Sequence, residues 1–127
     1  MTTVVAAVIE RGGRILICRR RPDGAHPLKW EFPGGKVDAG ETPEAALARE
    51  LEEELAISAR VGAEIARYEF QYLGKNPILL IFYRVPGFSG EPVNRVFETI
   101  EWAAPENFTK YDFLEGDRDF IRLLTSG

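Results

Sequence analysis

The apolar positions near the start of the chain predict a β-hairpin. Residues 4–9 form a continuous apolar run rich in β-branched side chains, which is typical of a strand buried on both faces. Gly12 and Gly13 favour a tight turn into a second apolar run at residues 15–18. We therefore expect two antiparallel strands here.

An amphipathic helix is predicted over residues 43–55. Three leucines recur every four residues and would share one apolar face: Leu47, Leu51 and Leu55. Thr42 can cap the helix through its hydroxyl group, and Pro43 suits the first helical position. This face should pack against the core.

The remaining pattern predicts more strands and a final helix. Further strands are expected at residues 30–32, 59–72, 78–85 and 96–102, a short turn or helix at residues 105–108, and a helix at residues 117–124. Strands around one acidic helix, with a second helix at the end, favour an α/β fold in which helices cover a mixed β-sheet. We expect one domain over residues 1–127.

Composition and charge narrow the classes of partner. The formal net charge of −4 and the isoelectric point near 5.1 argue against binding to a nucleic-acid polymer, which requires clustered positive charge. No apolar run is long enough for a signal peptide or a membrane span. The single cysteine, Cys18, is expected to be buried and reduced, so we expect a cytoplasmic protein. The sequence does not specify an oligomeric state.

The predicted helix carries candidate metal ligands. Glu50, Glu53 and Glu54 lie in one sector of that helix, beside its leucine face. Like charges at this spacing repel one another, so a cation is the natural counter-charge. Carboxylate oxygens without nearby histidine or cysteine select hard ions, Mg²⁺ or Mn²⁺. A solvated acidic surface is the alternative interpretation.

The spacing around these glutamates resembles the signature of the Nudix superfamily. The matching residues are Gly35, Glu41, Arg49, Glu50, Leu51, Glu53, Glu54 and Ile57, and Ala56 stands where the family has a second glycine. The preceding residues 30–34, with sequence WEFPG, are similar to the MutT-like branch of the family. The resemblance covers nearly the whole chain and implies the Nudix α/β/α sandwich.

The resemblance also implies an activity. MutT-like proteins use Mg²⁺ to cut a nucleoside triphosphate into a monophosphate and pyrophosphate, which for substrates such as 8-oxo-dGTP or a cytidine nucleotide sanitises the nucleotide pool. Retention of every acidic position of the motif favours catalysis. The alternatives are a pyrophosphatase for a nucleotide sugar or dinucleotide, and a Nudix-fold sensor that binds a nucleotide without cutting it.

The family pattern assigns roles to the acidic residues. The Gly34 carbonyl, Glu50, Glu53 and Glu54 would hold the metal, Arg49 would orient a carboxylate, and Glu41 would lie in the outer part of the site. Many relatives have a further loop glutamate six residues before the tryptophan that matches Trp102. That position is Val96 here, and Glu98 follows two residues later. Either Glu98 or one of the helix glutamates would take the proton from the attacking water.

Three residues are candidates for substrate binding. Arg20 matches a phosphate-binding arginine of MutT-like proteins, although it would also suit a charged strand end. Phe70 matches the aromatic residue beside the base, but aromatic residues in strands more often belong to the core. Asp117 would either cap the last helix or, as an ionised acceptor, contact a base edge rich in hydrogen-bond donors.

Overall fold

The computed structural model describes residues 1–126 and contains nine strands, two α-helices and one 3₁₀ helix. In chain order these are β1 (Thr2–Arg11), β2 (Arg14–Arg19), β3 (Trp30–Glu31), β4 (Gly34–Lys36), α1 (Pro43–Leu55), β5 (Ser58–Arg60), β6 (Glu64–Phe70), β7 (Ile78–Val85), β8 (Gly87–Ser89), β9 (Thr99–Ala103), the 3₁₀ helix (Pro105–Lys110) and α2 (Glu115–Thr125). The predicted opening hairpin is confirmed, because β1 pairs antiparallel with β2.

Strand β1 is the centre of a mixed seven-stranded sheet with the main order β3-β2-β1-β7-β6. It runs parallel to β7 along its length, and it pairs antiparallel with β4 at one end and with β2 at the other. Strand β9 extends the sheet through β2. The pairing with β4 places the Gly34–Lys36 segment directly beside the strand at the centre of the sheet.

The continuous apolar run of β1 serves two cores. Val5, Ala7 and Ile9 pack on the α1 side of the sheet, where they join the predicted leucine face of that helix. Ala6 and Val8 face the opposite side, which α2 and the 3₁₀ helix cover. Both faces of the sheet are therefore buried under helices, which is the predicted α/β/α sandwich.

The strand prediction for residues 59–72 is wrong in its middle. The segment divides into β5 and β6, and β5 pairs with β8 in a separate two-stranded sheet. Gly62 lies in the gap, where a Cβ atom would be 2.8 Å from Cδ of Pro86. The strand predicted over residues 96–102 begins only at Thr99, because residues 93–98 form a loop against α1.

Both α-helices were anticipated, with one shift in position. The bounds of α1 are those predicted, and the Thr42 hydroxyl accepts a hydrogen bond from the Ala45 amide at 3.1 Å. Helix α2 begins at Glu115, two residues earlier than expected. Cys18 is fully buried, as predicted. Within residues 1–126, neither helix is long and apolar enough to cross a membrane.

Candidate metal and nucleotide site

Two glycines bring the backbone of β4 close to the carboxylates of α1. A Cβ atom on Gly34 would lie 1.9 Å from the Val5 carbonyl oxygen, because β4 is tightly paired to β1. A Cβ atom on Gly35 would lie 2.5 Å from the carboxyl carbon of Glu50. Any larger side chain here would displace either the strand or the carboxylate.

Glu50 and Glu54 lie against this glycine segment. The Gly34 amide donates a hydrogen bond to Glu54 at 3.2 Å. Burial raises the pKa of Glu54 well above its usual range, and the neighbouring charges of Glu50 and Glu31 raise it further. The charge of Glu50 thus disfavours ionisation of Glu54, and a cation would relieve this repulsion. Glu53 lies at the edge of the pair, with 55% of its side chain exposed.

These donors fit a hard divalent cation. They are carboxylate oxygens whose mutual repulsion a cation would relieve, and the Gly34 carbonyl belongs to the same segment. Within residues 1–126, no three acidic, histidine or cysteine side chains already converge on one point at metal-ligand distances. Arg49 partly explains this, because its Nη1 atom donates to Glu50 at 2.9 Å and to Glu53 at 3.3 Å.

Arg49 also holds Glu41. Its Nε and Nη2 atoms donate to the two carboxylate oxygens of Glu41 at 2.7 and 3.0 Å. These bonds, with a further one from the Asp38 amide, lower the pKa of Glu41 to about 2. The carboxylate of Glu41 is therefore already occupied. The contacts suit the predicted orienting role of Arg49 and the outer position of Glu41, and both roles stay predictions.

A cavity of about 260 Å³ adjoins the acidic pair. Arg20, Glu31 and Glu54 line it together with Val96 and Phe97. Arg20 is half-buried in its wall and donates through Nη1 to both carboxylate oxygens of Glu31 at 3.1 Å. The structure thus brings the predicted phosphate-binding arginine beside the predicted metal ligands.

Glu31 is a site residue that the sequence reasoning missed. Burial raises the pKa of its carboxyl group, and Arg20 partly offsets this shift. Trp30 and Phe32, its neighbours in the chain, are buried aromatic residues. Because side chains alternate along a strand, Glu31 points away from Trp30, and it pairs in register with Cys18 of β2 on the α1 side. An acidic residue between two core aromatics was the available signal.

Asp117 is not a helix cap. It lies in the first turn of α2, whose N-cap is Leu114, and only 6% of it is exposed. Burial raises its pKa to about 8, and the charge of Glu31 contributes in the same direction. This shift favours the protonated form of Asp117 near neutral pH, in which the carboxyl presents one donor and one acceptor, whereas the expectation was an ionised acceptor.

The other two predicted residues differ in position. Phe70 is half-buried at the end of β6, and its ring packs edge-on against Tyr72 at 4.8 Å between centroids. Tyr72 in turn accepts a hydrogen bond from the Gly116 amide, next to Asp117. Glu98 is exposed and lies outside the lining of the cavity, where Val96 and Phe97 stand instead. The structure therefore does not bring Glu98 to the acidic pair.

The geometry agrees with comparisons to known proteins. A family model described as NUDIX domain matches residues 1–124. The CTP pyrophosphohydrolase of Escherichia coli K12 is 38% identical over 92% of this chain and 86% of its own length. The 8-oxo-dGTP diphosphatase of the same strain is 34% identical over 94% of this chain and 92% of its own length.

A solved structure supports the same conclusion. The solution structure of the E. coli ORF135 protein superposes with a TM-score of 0.88 at 36% identity, over 99% of this chain and 89% of that one. The architecture of the whole chain thus has a counterpart among solved structures.

Proposed function

The chain belongs to the NUDIX domain family and is a Nudix hydrolase; we propose that it is a Mg²⁺-dependent pyrophosphohydrolase that converts a nucleoside triphosphate into a monophosphate and pyrophosphate. The observation that carries the proposal is the crowding of Glu54 against Gly34 and of Glu50 against Gly35, beside a cavity that Arg20 lines. Mn²⁺ is the other hard ion that this donor set suits.

The metal-binding residues would be the Gly34 carbonyl, Glu50, Glu53 and Glu54. A bound divalent cation would neutralise charge on the phosphoryl oxygens and activate the attacking water. Arg49 would keep Glu50 oriented through the hydrogen bond at 2.9 Å. Glu53 is the most exposed of the three carboxylates and lies 3.3 Å from Arg49, so it is the one most open to a water molecule.

Arg20 would bind the substrate phosphates. Its Nε and Nη1 atoms are held by the Ala25 carbonyl and by Glu31, which fixes the plane of the guanidinium. Among the contacts within residues 1–126, its Nη2 atom has no partner and is left for a phosphate oxygen. A planar guanidinium held in this way loses little freedom when it binds an anion.

The base would be recognised by a pair of buried carboxyl groups and an aromatic edge. Protonated Asp117 offers one donor and one acceptor, and Glu31, paired with Arg20, offers acceptors. This combination complements the guanine edge, which has one acceptor beside two donors, and it also suits the amine and ring nitrogen of cytosine. Phe70 and Tyr72 would flank the ring. The relatives named for CTP and for 8-oxo-dGTP agree with these two classes.

The test is a substrate panel with Mg²⁺ in which the products are identified. The panel contains the common ribo- and deoxyribonucleoside triphosphates, 8-oxo-dGTP, a nucleotide sugar and a dinucleotide. We expect monophosphate and pyrophosphate, with a guanine or cytosine nucleotide as the best substrate. Preferential cleavage of the sugar nucleotide or dinucleotide would favour the alternative pyrophosphatase. Binding without turnover of any compound would identify a sensor.

A further inference from the structure

Negative charge is concentrated at the C-terminal end of α1. Glu52, Glu53 and Glu54 lie in its last turn, and no basic residue of the helix lies there. The C-terminus of a helix carries partial negative charge and leaves carbonyl groups without partners inside the helix. Three carboxylates at this end therefore need both a positive charge and hydrogen-bond donors from elsewhere.

A separate loop supplies both. The Val93 amide donates to the Leu55 carbonyl at 2.8 Å, and the Arg95 amide donates to the Glu54 carbonyl at 3.1 Å. The guanidinium of Arg95 donates from Nη1 to the Glu52 carbonyl at 3.0 Å. Arg95 thus contacts α1 twice, through its backbone and through its side chain.

The same loop is stiffened internally and attached to the sheet. The side chain of Asn94 donates to the Phe97 carbonyl and accepts from the Phe97 amide, both at 2.8 Å. One residue further, the Glu98 amide donates to the Arg19 carbonyl of β2 at 2.9 Å. The loop therefore forms a short bridge between the end of α1 and the end of β2.

This bridge connects two walls of the cavity. Glu54 lines one wall from α1, and Val96 and Phe97 line another from the loop. Because Arg95 precedes Val96 in the loop and bonds to two carbonyls of α1, its hydrogen bonds tie the loop to the last turn of that helix.

We propose that Arg95 is a positioning residue for the reaction: its guanidinium fixes the loop on the end of α1 and so holds Glu53 and Glu54 in register with the cavity wall formed by Val96 and Phe97. The inference rests on the proposed function for its catalytic consequence, while the structural clamp itself is independent of any substrate. A charge-assisted hydrogen bond to a helix-end carbonyl suits a residue that must offset negative charge at the same point.

The test compares three variants. Arg95→Ala removes the guanidinium, Arg95→Lys keeps the positive charge and one donor, and Arg122→Ala is the control. Arg122 is an exposed arginine of α2 that pairs with Asp119, so the control removes the same charge elsewhere. Each variant is measured for amide hydrogen exchange, for kcat and KM, and for the Mg²⁺ concentration that gives half-maximal rate.

In Arg95→Ala we expect amide exchange at Val93 and Ala56 to accelerate by about tenfold or more, because the end of α1 loses its clamp. We expect kcat to fall by about ten- to hundredfold with KM changed less, and the half-maximal Mg²⁺ concentration to rise, because small misplacements of catalytic groups are costly. Arg95→Lys should recover most of the rate, and Arg122→Ala should resemble wild type.

Two outcomes would overturn the proposal. One is unchanged amide exchange at Val93 and Ala56 in Arg95→Ala. This result would show that the guanidinium does not hold the loop on α1, whether or not a substrate is known. The other is accelerated exchange with kcat within twofold of the control, which would leave a clamp without a positioning role. If wild type cleaved no nucleotide, the proposed function would fail while the exchange measurement still judged the clamp.

Discussion

Glu41 and Asp117 are both carboxyl groups of the candidate site, and their surroundings shift their pKa values in opposite directions. Glu41 lies near the surface, and two hydrogen bonds from Arg49 help to lower its pKa to about 2. Asp117 is buried in the first turn of α2, and burial raises its pKa to about 8. The difference arises from the surroundings, because a guanidinium stabilises the charged form and an apolar environment penalises it.

The contrast separates two tasks within one site. In the proposed function, the acidic face of α1 would hold a cation, and Arg49 orders that face through its hydrogen bonds to Glu50 and Glu53. In the proposed function, the buried region around Asp117 and Glu31 would instead present a defined pattern of donors and acceptors to a base. The motif of the first region is visible in the sequence, whereas the pKa shift of Asp117 depends on burial and on the nearby charge of Glu31.

The largest expected effect is a loss of activity when the acidic face of α1 is changed. Glu53→Gln keeps the size of the side chain and removes its charge, so we expect kcat to fall by at least about 10³-fold while the fold is retained. Glu52→Gln is the matched control, since Glu52 is also exposed and lies on the adjacent position of α1. Steady-state rates and thermal unfolding of both variants are the measurement. Activity of Glu53→Gln within tenfold of wild type would show that the site is wrongly assigned.

The raised pKa of Asp117 predicts that the stability of the protein depends on pH. The folded pKa of about 8 for Asp117 exceeds its ordinary value of 3.8, so the folded protein keeps a proton that the unfolded chain releases. The stability from this protonated group is complete below about pH 4 and is lost as the pH rises to about 8. Its slope is at most about 1.4 kcal/mol per pH unit.

The measurement is urea unfolding of wild type and Asp117→Asn at several pH values between 5 and 9. Asparagine cannot ionise, so the stability of the variant relative to wild type should rise with pH. Asp119→Asn is the control, because Asp119 is exposed on the same helix and paired with Arg122. A constant difference between wild type and Asp117→Asn across this range would mean that Asp117 is ionised in the folded protein.

Substrate kinetics also test whether Asp117 acts in its protonated form, and the expected effect is smaller. If Asp117 acts in its protonated form, Asp117→Asn still presents a donor and an acceptor, and kcat/KM near pH 6.5 should stay within about threefold of wild type. Asp117→Leu removes both groups, and a loss of ten- to hundredfold is expected, since an unmatched buried polar contact costs about 1–3 kcal/mol. Equal and large losses in both variants would instead indicate an ionised Asp117.

Local signals predicted much of the fold. The two-sided burial of β1, the bounds of α1 and the cap at Thr42 all follow from short stretches of sequence, because periodicity and capping act over a few residues. The break between β5 and β6 could not be predicted in this way. It depends on Gly62 meeting Pro86, which is distant in the sequence.

The candidate site also has parts that a short stretch of sequence predicts and parts that depend on contacts between distant segments. The acidic residues of α1 form a contiguous motif, so their clustering is set by one helix. The contacts of Glu31 with Arg20 and of Arg95 with α1 join segments that only the sheet brings together. The raised pKa of Asp117 depends on its burial in the folded protein, which no single stretch of sequence encodes.

The smallest effect concerns the residue at which α1 ends. Ala56 has a left-handed backbone, with φ 59° and ψ 30°, and its amide still donates to the Glu52 carbonyl at 3.0 Å. Alanine in this conformation costs about 1 kcal/mol relative to glycine, so Ala56→Gly should stabilise the protein by about that amount. Ala48→Gly, inside the same helix, should have the opposite sign, because glycine there loses about 1 kcal/mol of helix propensity. Chemical denaturation of both variants measures the two effects.

Because Val93 and Arg95 already hold the neighbouring carbonyls, the relief of strain at Ala56 should leave kcat unchanged. A lower stability of Ala56→Gly would show that the left-handed conformation costs alanine little here, and that the charged face of α1 ends without the strain its geometry indicates.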